Sequence, residues 1–250
     1  MGKKGQVTLF VILAIVIVVA GVLVYSFLPK MKSSTSSQEN PATYIQSCVS
    51  GPLINYSHVI AKNGGTLKPD HSFVYLGQPV DYLCYTNKYF TPCTVEKPML
   101  VSIYTNQLTN SINSTINSCF DSLVKDYQKK GYSVNLNKKG YDVKVLMNQI
   151  FVTANYTLTV SKAGNSQTYN SFNIIANSNI YQLLSIAYNI VNWETIYGDA
   201  DVNVYMDFNP DVKLQKIRQE NGTKVYIIDD RNTKEEFRFA TRSLVMAPGS

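Results

Sequence analysis

Four cysteines, two histidines and one short acidic run are the side chains in this sequence best equipped for chemistry. Cys48, Cys84, Cys93 and Cys119 are widely spaced, with no C-x-x-C pair among them. His58 and His71 fall in different segments. A zinc site draws on clustered ligands at short spacing, so this pattern does not read as one. An even number of scattered cysteines reads as disulfides. Four cysteines allow three pairings. The preferred set is Cys84–Cys93, closing a short loop around Thr86-Asn87-Lys88, with Cys48–Cys119 stapling two helices. Four reduced, buried cysteines are the alternative.

Asp199, Asp201 and Asn203 alternate, which on a strand would put their side chains on one face. A calcium loop of EF-hand type would need Gly where Val204 stands and Glu where Pro210 stands, so no metal is assigned there. The sequence has no G-x-S-x-G, H-E-x-x-H, P-loop or G-x-G-x-x-G pattern. No catalytic residue, cofactor or metal is therefore expected. Four N-x-S/T acceptor patterns make Asn55, Asn113, Asn155 and Asn221 glycosylation candidates. The 18 tyrosines suggest amphipathic sheet residues more than a sugar-binding surface.

These residues have to be positioned by regular elements. After a polar linker over 30–40, Asn40-Pro41 reads as a helix start. Ile45, Cys48, Val49, Leu53, Tyr56 and Ile60 follow at helical spacing, Pro52 should kink the helix, and Gly64-Gly65 ends it. Short strands are expected at 72–76 and 81–85. A second helix over 99–130 carries Leu108, Ile112, Ile116, Cys119, Phe120, Leu123 and Tyr127 on one face. If the two helices pack together, Cys48 and Cys119 can meet. From about residue 132 the period changes to two, and strands at 133–136, 141–147, 150–160 and 167–175 read as an antiparallel meander. A third helix over 179–197 should lie on that sheet. Strands at 202–208, 213–219, 224–229 and 236–241 close the chain, with Asn221-Gly222 as a hairpin turn.

The N-terminus is different in kind. Val7 to Leu28 is an uncharged apolar run of about 22 residues, or about 33 Å as a helix, enough to cross a bilayer core of roughly 30 Å. It is longer than the core of a cleaved secretory signal and ends without an A-x-A-like site. The formal net charge is +6. Lys3, Lys4, Lys30 and Lys32 flank the run, and residues 1–32 contain no acid. Without these four lysines the net charge is about +2, so the excess sits where lysines meet anionic head groups. No basic stripe remains to argue for nucleic acid. The flanking lysines balance and do not set direction. The cysteines and the four acceptor asparagines do, by favouring an exterior domain.

Lys3-Lys4-Gly5-Gln6 directly before an apolar helix resembles the class III signal peptide of archaeal type IV pilin-like proteins. The resemblance implies cleavage between Gly5 and Gln6, with the helix in a membrane or a filament core. Such pilins carry Glu at the fifth mature position, where this chain has Phe10. That departure argues for an anchor over a filament. The remainder resembles a broad set of archaeal membrane-anchored proteins of uncharacterised function. The points of likeness are the helix holding Cys48, the Gly64-Gly65 stop, the helix holding Cys119 and the closing Phe237-Arg238-Phe239-Ala240-Thr241-Arg242. It implies topology and compartment but no activity.

The expected fold is α+β: an N-terminal transmembrane helix, then an exterior domain of two packed helices and an antiparallel sheet with a third helix on it. The expected divisions are a basic signal-like segment (1–5), a transmembrane or filament-core helix (6–29), a linker (30–40), a disulfide-stapled helical part (41–131) and a β-rich part with one helix (132–250). The expected role is that of a single-pass, extracytoplasmic cell-envelope or surface glycoprotein, structural or adhesive. Its expected partners are the lipid bilayer and copies of itself or other envelope proteins. A subunit of a type IV pilus-like filament is the first alternative, and an exterior hydrolase or sugar-binding module the second.

Overall fold

The computed structural model describes residues 40–245. Gly5, Gln6, Phe10, the expected apolar helix over 6–29 and the expected linker up to residue 39 lie outside them. Among the described residues no helix is long and apolar enough to cross a membrane. Among the described residues, those from Pro41 to Val245 form one compact α+β unit.

Helix α1 (Pro41–Lys62) and helix α2 (Leu100–Lys129) form where the apolar spacing puts them. Ile45, Val49, Leu53, Ser57 and Ile60 are buried along α1, and Pro52 lies within it. Gly64 ends α1 with φ +85°, and a Cβ there would lie 2.7 Å from the Cβ of Asp81. Only glycine accepts both that backbone and that approach. Tyr104, Leu108, Ile112, Ile116, Phe120 and Leu123 make the buried stripe of α2.

The helices are covered by two sheets. The first is antiparallel: β4 (Ser133–Leu146), β5 (Gln149–Lys162), β6 (Asn165–Tyr169) and β7 (Phe172–Asn177). β4 runs along one side of β5, while β6 and β7 share the other. A bulge between Lys138 and Tyr141 interrupts the period within β4, which is why its two halves read as separate strands. The inner face of β5 is Ile150, Val152, Ala154, Tyr156, Leu158 and Val160, all buried. Phe120 of α2 meets Tyr156 and Phe172 there, at ring-centroid distances of 4.5 and 4.9 Å.

The second sheet has the order β1-β2-β10-β9-β8, with β3 paired to β2. Its strands are β1 (Ser72–Tyr75), β2 (Gln78–Tyr85), β3 (Thr94–Val95), β8 (Val212–Arg218), β9 (Thr223–Asp230) and β10 (Glu236–Arg242). β2 and β10 run parallel, with Thr241 opposite Cys84, and the other pairs are antiparallel. The expected helical part (41–131) and β-rich part (132–250) thus share a sheet.

Two expectations need correction. Helix α3 (Ile180–Tyr197) lies against the second sheet, not the meander. The apolar face of the meander is already covered by α1 and α2. Residues 202–208 form helix α4 (Val202–Phe208), not a strand. Asp201 caps it, its side chain accepting from the Asn203 N–H at 3.0 Å. Val202, Tyr205 and Met206 pack on the core at helical spacing. The β-branched residues there suggest a strand, but the three-and-four spacing decides.

Candidate functional site

The buried stripe of α3 runs Leu183, Leu184, Ala187, Ile190, Val191 and then Glu194. A carboxylate therefore stands where the helix period calls for an apolar residue, and its side chain is fully buried. Lys224 and Tyr226 alternate on β9 and face it. Lys224 Nζ donates to Glu194 Oε2 at 2.6 Å, and the Tyr226 hydroxyl donates to Glu194 Oε1. Lys224 is 6% exposed. Gly198, left-handed at φ +73°, ends α3 and turns its carbonyl onto Lys224 Nζ. A Cβ at Gly198 would lie 1.7 Å from the Val245 side chain.

Asp199 follows on the outer side of this turn. Its Oδ1 is 3.5 Å from Lys224 Nζ. From β8, Lys216 Nζ donates to both Asp199 oxygens at 2.9 Å and to the Ala200 carbonyl at 2.8 Å. Arg218 adds a 2.6 Å contact to Oδ2. The two carboxylates respond oppositely. Burial pushes the Glu194 carboxyl above its ordinary range, against the pull of Lys224. Burial acts upward on Asp199 too, but Lys216, Lys224 and Arg218 hold it below that range. Burial, reinforced by Glu194, pushes the Tyr226 phenol far up.

A second polar group holds the start of α3. Glu235 accepts from Ser178 Oγ at 2.6 Å and from the Asn179 N–H. Asp230 accepts from Asn179 Nδ2 and from the Asn232 and Thr233 N–H groups, each at 2.8 Å. These contacts fix the helix end.

The four cysteines form two disulfides, Cys48–Cys119 between α1 and α2 and Cys84–Cys93 between β2 and the loop before β3. No cysteine is free. Asn55, Asn113, Asn155 and Asn221 are all exposed. The hydroxyls two residues beyond Asn55 and Asn221 are engaged: Ser57 with Tyr104 at 2.6 Å, and Thr223 with Tyr82 at 2.8 Å. His71 packs on Tyr82 and Tyr85 and meets Glu96 at 3.0 Å, while His58 lies half-buried on α1, far along the chain from Asp199. Asp199, Asp201 and Asn203 do not share a strand face. Asp199 belongs to the lysine network, and Asp201 and Asn203 form the α4 cap. Among the described residues no group of three or more His, Cys, Asp or Glu side chains could hold a metal ion.

Local sequence patterning does not assemble the Glu194–Lys224–Tyr226 group. The sequence carries a sign of it: Glu194 interrupts an apolar stripe, and Lys224 directly precedes the apolar and aromatic run 225–228. Compared with known protein families, with curated proteins and with solved structures, the chain matches none.

Proposed function

We propose that this protein is a single-pass, membrane-anchored extracytoplasmic component of a cell envelope or surface, with a structural or adhesive role and no catalytic turnover. The observation that carries this reading is the pairing of all four cysteines into two disulfides. Disulfides persist in oxidising compartments and are rare where thiols are kept reduced. The uncharged run from Val7 to Leu28 supports an anchor, and Lys3-Lys4-Gly5-Gln6 supports a class III, pilin-type start cut between Gly5 and Gln6. Phe10 in place of a pilin's Glu favours an individual anchor in the lipid bilayer over a filament subunit. Four exposed acceptor asparagines favour a glycoprotein that meets other envelope proteins or copies of itself.

The test is protease treatment of intact cells that carry the native protein, followed by N-terminal and non-reducing peptide mapping. The expected result is loss of residues beyond about 40 from the outside, a chain beginning at Gln6, and both disulfides intact. A domain that resists external protease and is digested only after lysis would overturn the reading.

A further inference from the structure

We propose that the folded chain joins Lys224 to Glu194 through an amide, Nζ to Cδ, with loss of water. The inference is independent of the membrane reading. Nζ stands 2.6 Å from Glu194 Oε2, so a proton can pass between them and the amine is held beside the carboxyl carbon Cδ that it would attack. Both side chains are closed off from solvent, at 6% and 0% exposure. A buried ion pair carries a large desolvation cost, and a neutral amide removes both charges.

The step balances without any co-reactant. The ammonium passes one proton to the carboxylate, leaving a neutral amine and a neutral acid. Burial favours the neutral carboxyl. The amine lone pair attacks Cδ, while the Tyr226 hydroxyl donates to Oε1 as charge develops on it. The second proton passes directly from Nζ to Oε2, while Asp199 Oδ1, 3.5 Å from Nζ and held ionised by Lys216 and Arg218, steadies the positive charge that forms on the nitrogen. The Cδ–Oε2 bond breaks, Oε2 leaves as water, and nothing is oxidised or reduced. The product finds its partners already placed: Gly198 O for the amide N–H and the Tyr226 hydroxyl for the amide oxygen. Asp199 is not the carbon attacked. It is farther from Nζ, two other cations hold it as an anion, and its side chain is 41% exposed.

Tryptic mapping of the full chain under reducing conditions decides the matter. Glu194 lies in the peptide 163–213, and Lys224 ends the peptide 219–224. An acylated Lys224 blocks cleavage, so the expected product is 163–213 joined to 219–231, lighter than the two by one water, with fragment ions placing the link at Glu194. Chain that has never folded, recovered from inclusion bodies in denaturant, should begin unlinked and acquire the link on folding alone in buffer. Lys224→Arg keeps the positive charge and should show no loss of water. Free 219–224 in full yield from native protein, a link at Asp199, or a link formed only with other proteins present would each overturn the proposal.

Discussion

At the scale of single residues, the buried polar groups are the informative ones. Tyr104 is fully buried between α1 and α2; its hydroxyl meets Ser57 Oγ at 2.6 Å and donates to the Ser57 carbonyl at 2.8 Å. Tyr104→Phe leaves the Ser57 hydroxyl without that partner and should cost about 1–2 kcal/mol in urea unfolding. A loss below a few tenths would show that the pair contributes nothing. Asp230 gives a pH handle. Burial acts upward on its carboxyl, but hydrogen bonds from Thr233, Asn179 and Asn232 outweigh it and hold the folded value below the ordinary 3.8. The folded state therefore binds that proton less readily than the unfolded state. The contribution is full above the ordinary value and is lost as pH falls through the folded one. Asp199 acts in the same sense, and Asp81, raised by burial, in the opposite one. Melting temperatures taken from about pH 5 down to pH 2 should fall less steeply for Asp230→Asn than for the natural chain, and parallel curves would refute the assignment. Such residues are hard to read in a sequence because their chemistry depends on neighbours far away in it. Asp230 and Asn179 are 51 positions apart, and Glu194 and Lys224 are 30 apart.

At the scale of elements, the two disulfides tie different kinds of structure. Cys48–Cys119 spans 71 residues and joins two helices, whereas Cys84–Cys93 spans 9 and closes a loop. Loop-closure entropy alone gives about 4.4 kcal/mol for the first and about 2.6 kcal/mol for the second. Replacing Cys48 and Cys119 by Ala should therefore destabilise the domain more than replacing Cys84 and Cys93, by guanidinium unfolding of the two double variants. The reverse order would mean that native packing around the loop outweighs chain entropy. The elements themselves were the most legible level. The stripes of α1 and α2, the Gly64-Gly65 stop and the Asn221-Gly222 hairpin follow from local spacing and turn chemistry. The α4 segment reads as a strand because Val202, Val204 and Tyr205 favour strands, and only its cap and half-buried spacing separate the two cases. The partner of α3 is illegible for a different reason. An apolar stripe says that a helix has a partner, not which of two sheets it is.

At the scale of the whole molecule, the two sheets depend on contacts that no local pattern announces. β2 pairs with β10 in parallel across the length of the domain, and the helices fill the space between the sheets and around them. This arrangement buries phenols as well as aliphatic side chains, and it makes the fold sensitive to alkali. Burial pushes Tyr205 up to about 12 from the ordinary 10.0, and it pushes Tyr104 and Tyr226 higher still. In the unfolded chain all three ionise near the ordinary value, while the folded chain keeps their protons. Stability is therefore intact below about pH 10 and is lost as pH rises from there toward the folded values. Each group contributes at most about 1.4 kcal/mol per pH unit, so three together lose about 3 kcal/mol between pH 10 and 11. Denaturant unfolding at about pH 9, 10 and 11 should show stability steady across the first step and falling steeply across the second. Phenolate absorbance gives an independent readout. The exposed tyrosines should titrate reversibly first, and the buried ones should ionise only together with the loss of far-ultraviolet circular dichroism. If all the tyrosines ionise in one reversible step while the secondary structure persists, Tyr104 and Tyr226 are not sealed in the core and Tyr205 is not held against it, and the packing of α2, α4 and β9 would have to be redrawn.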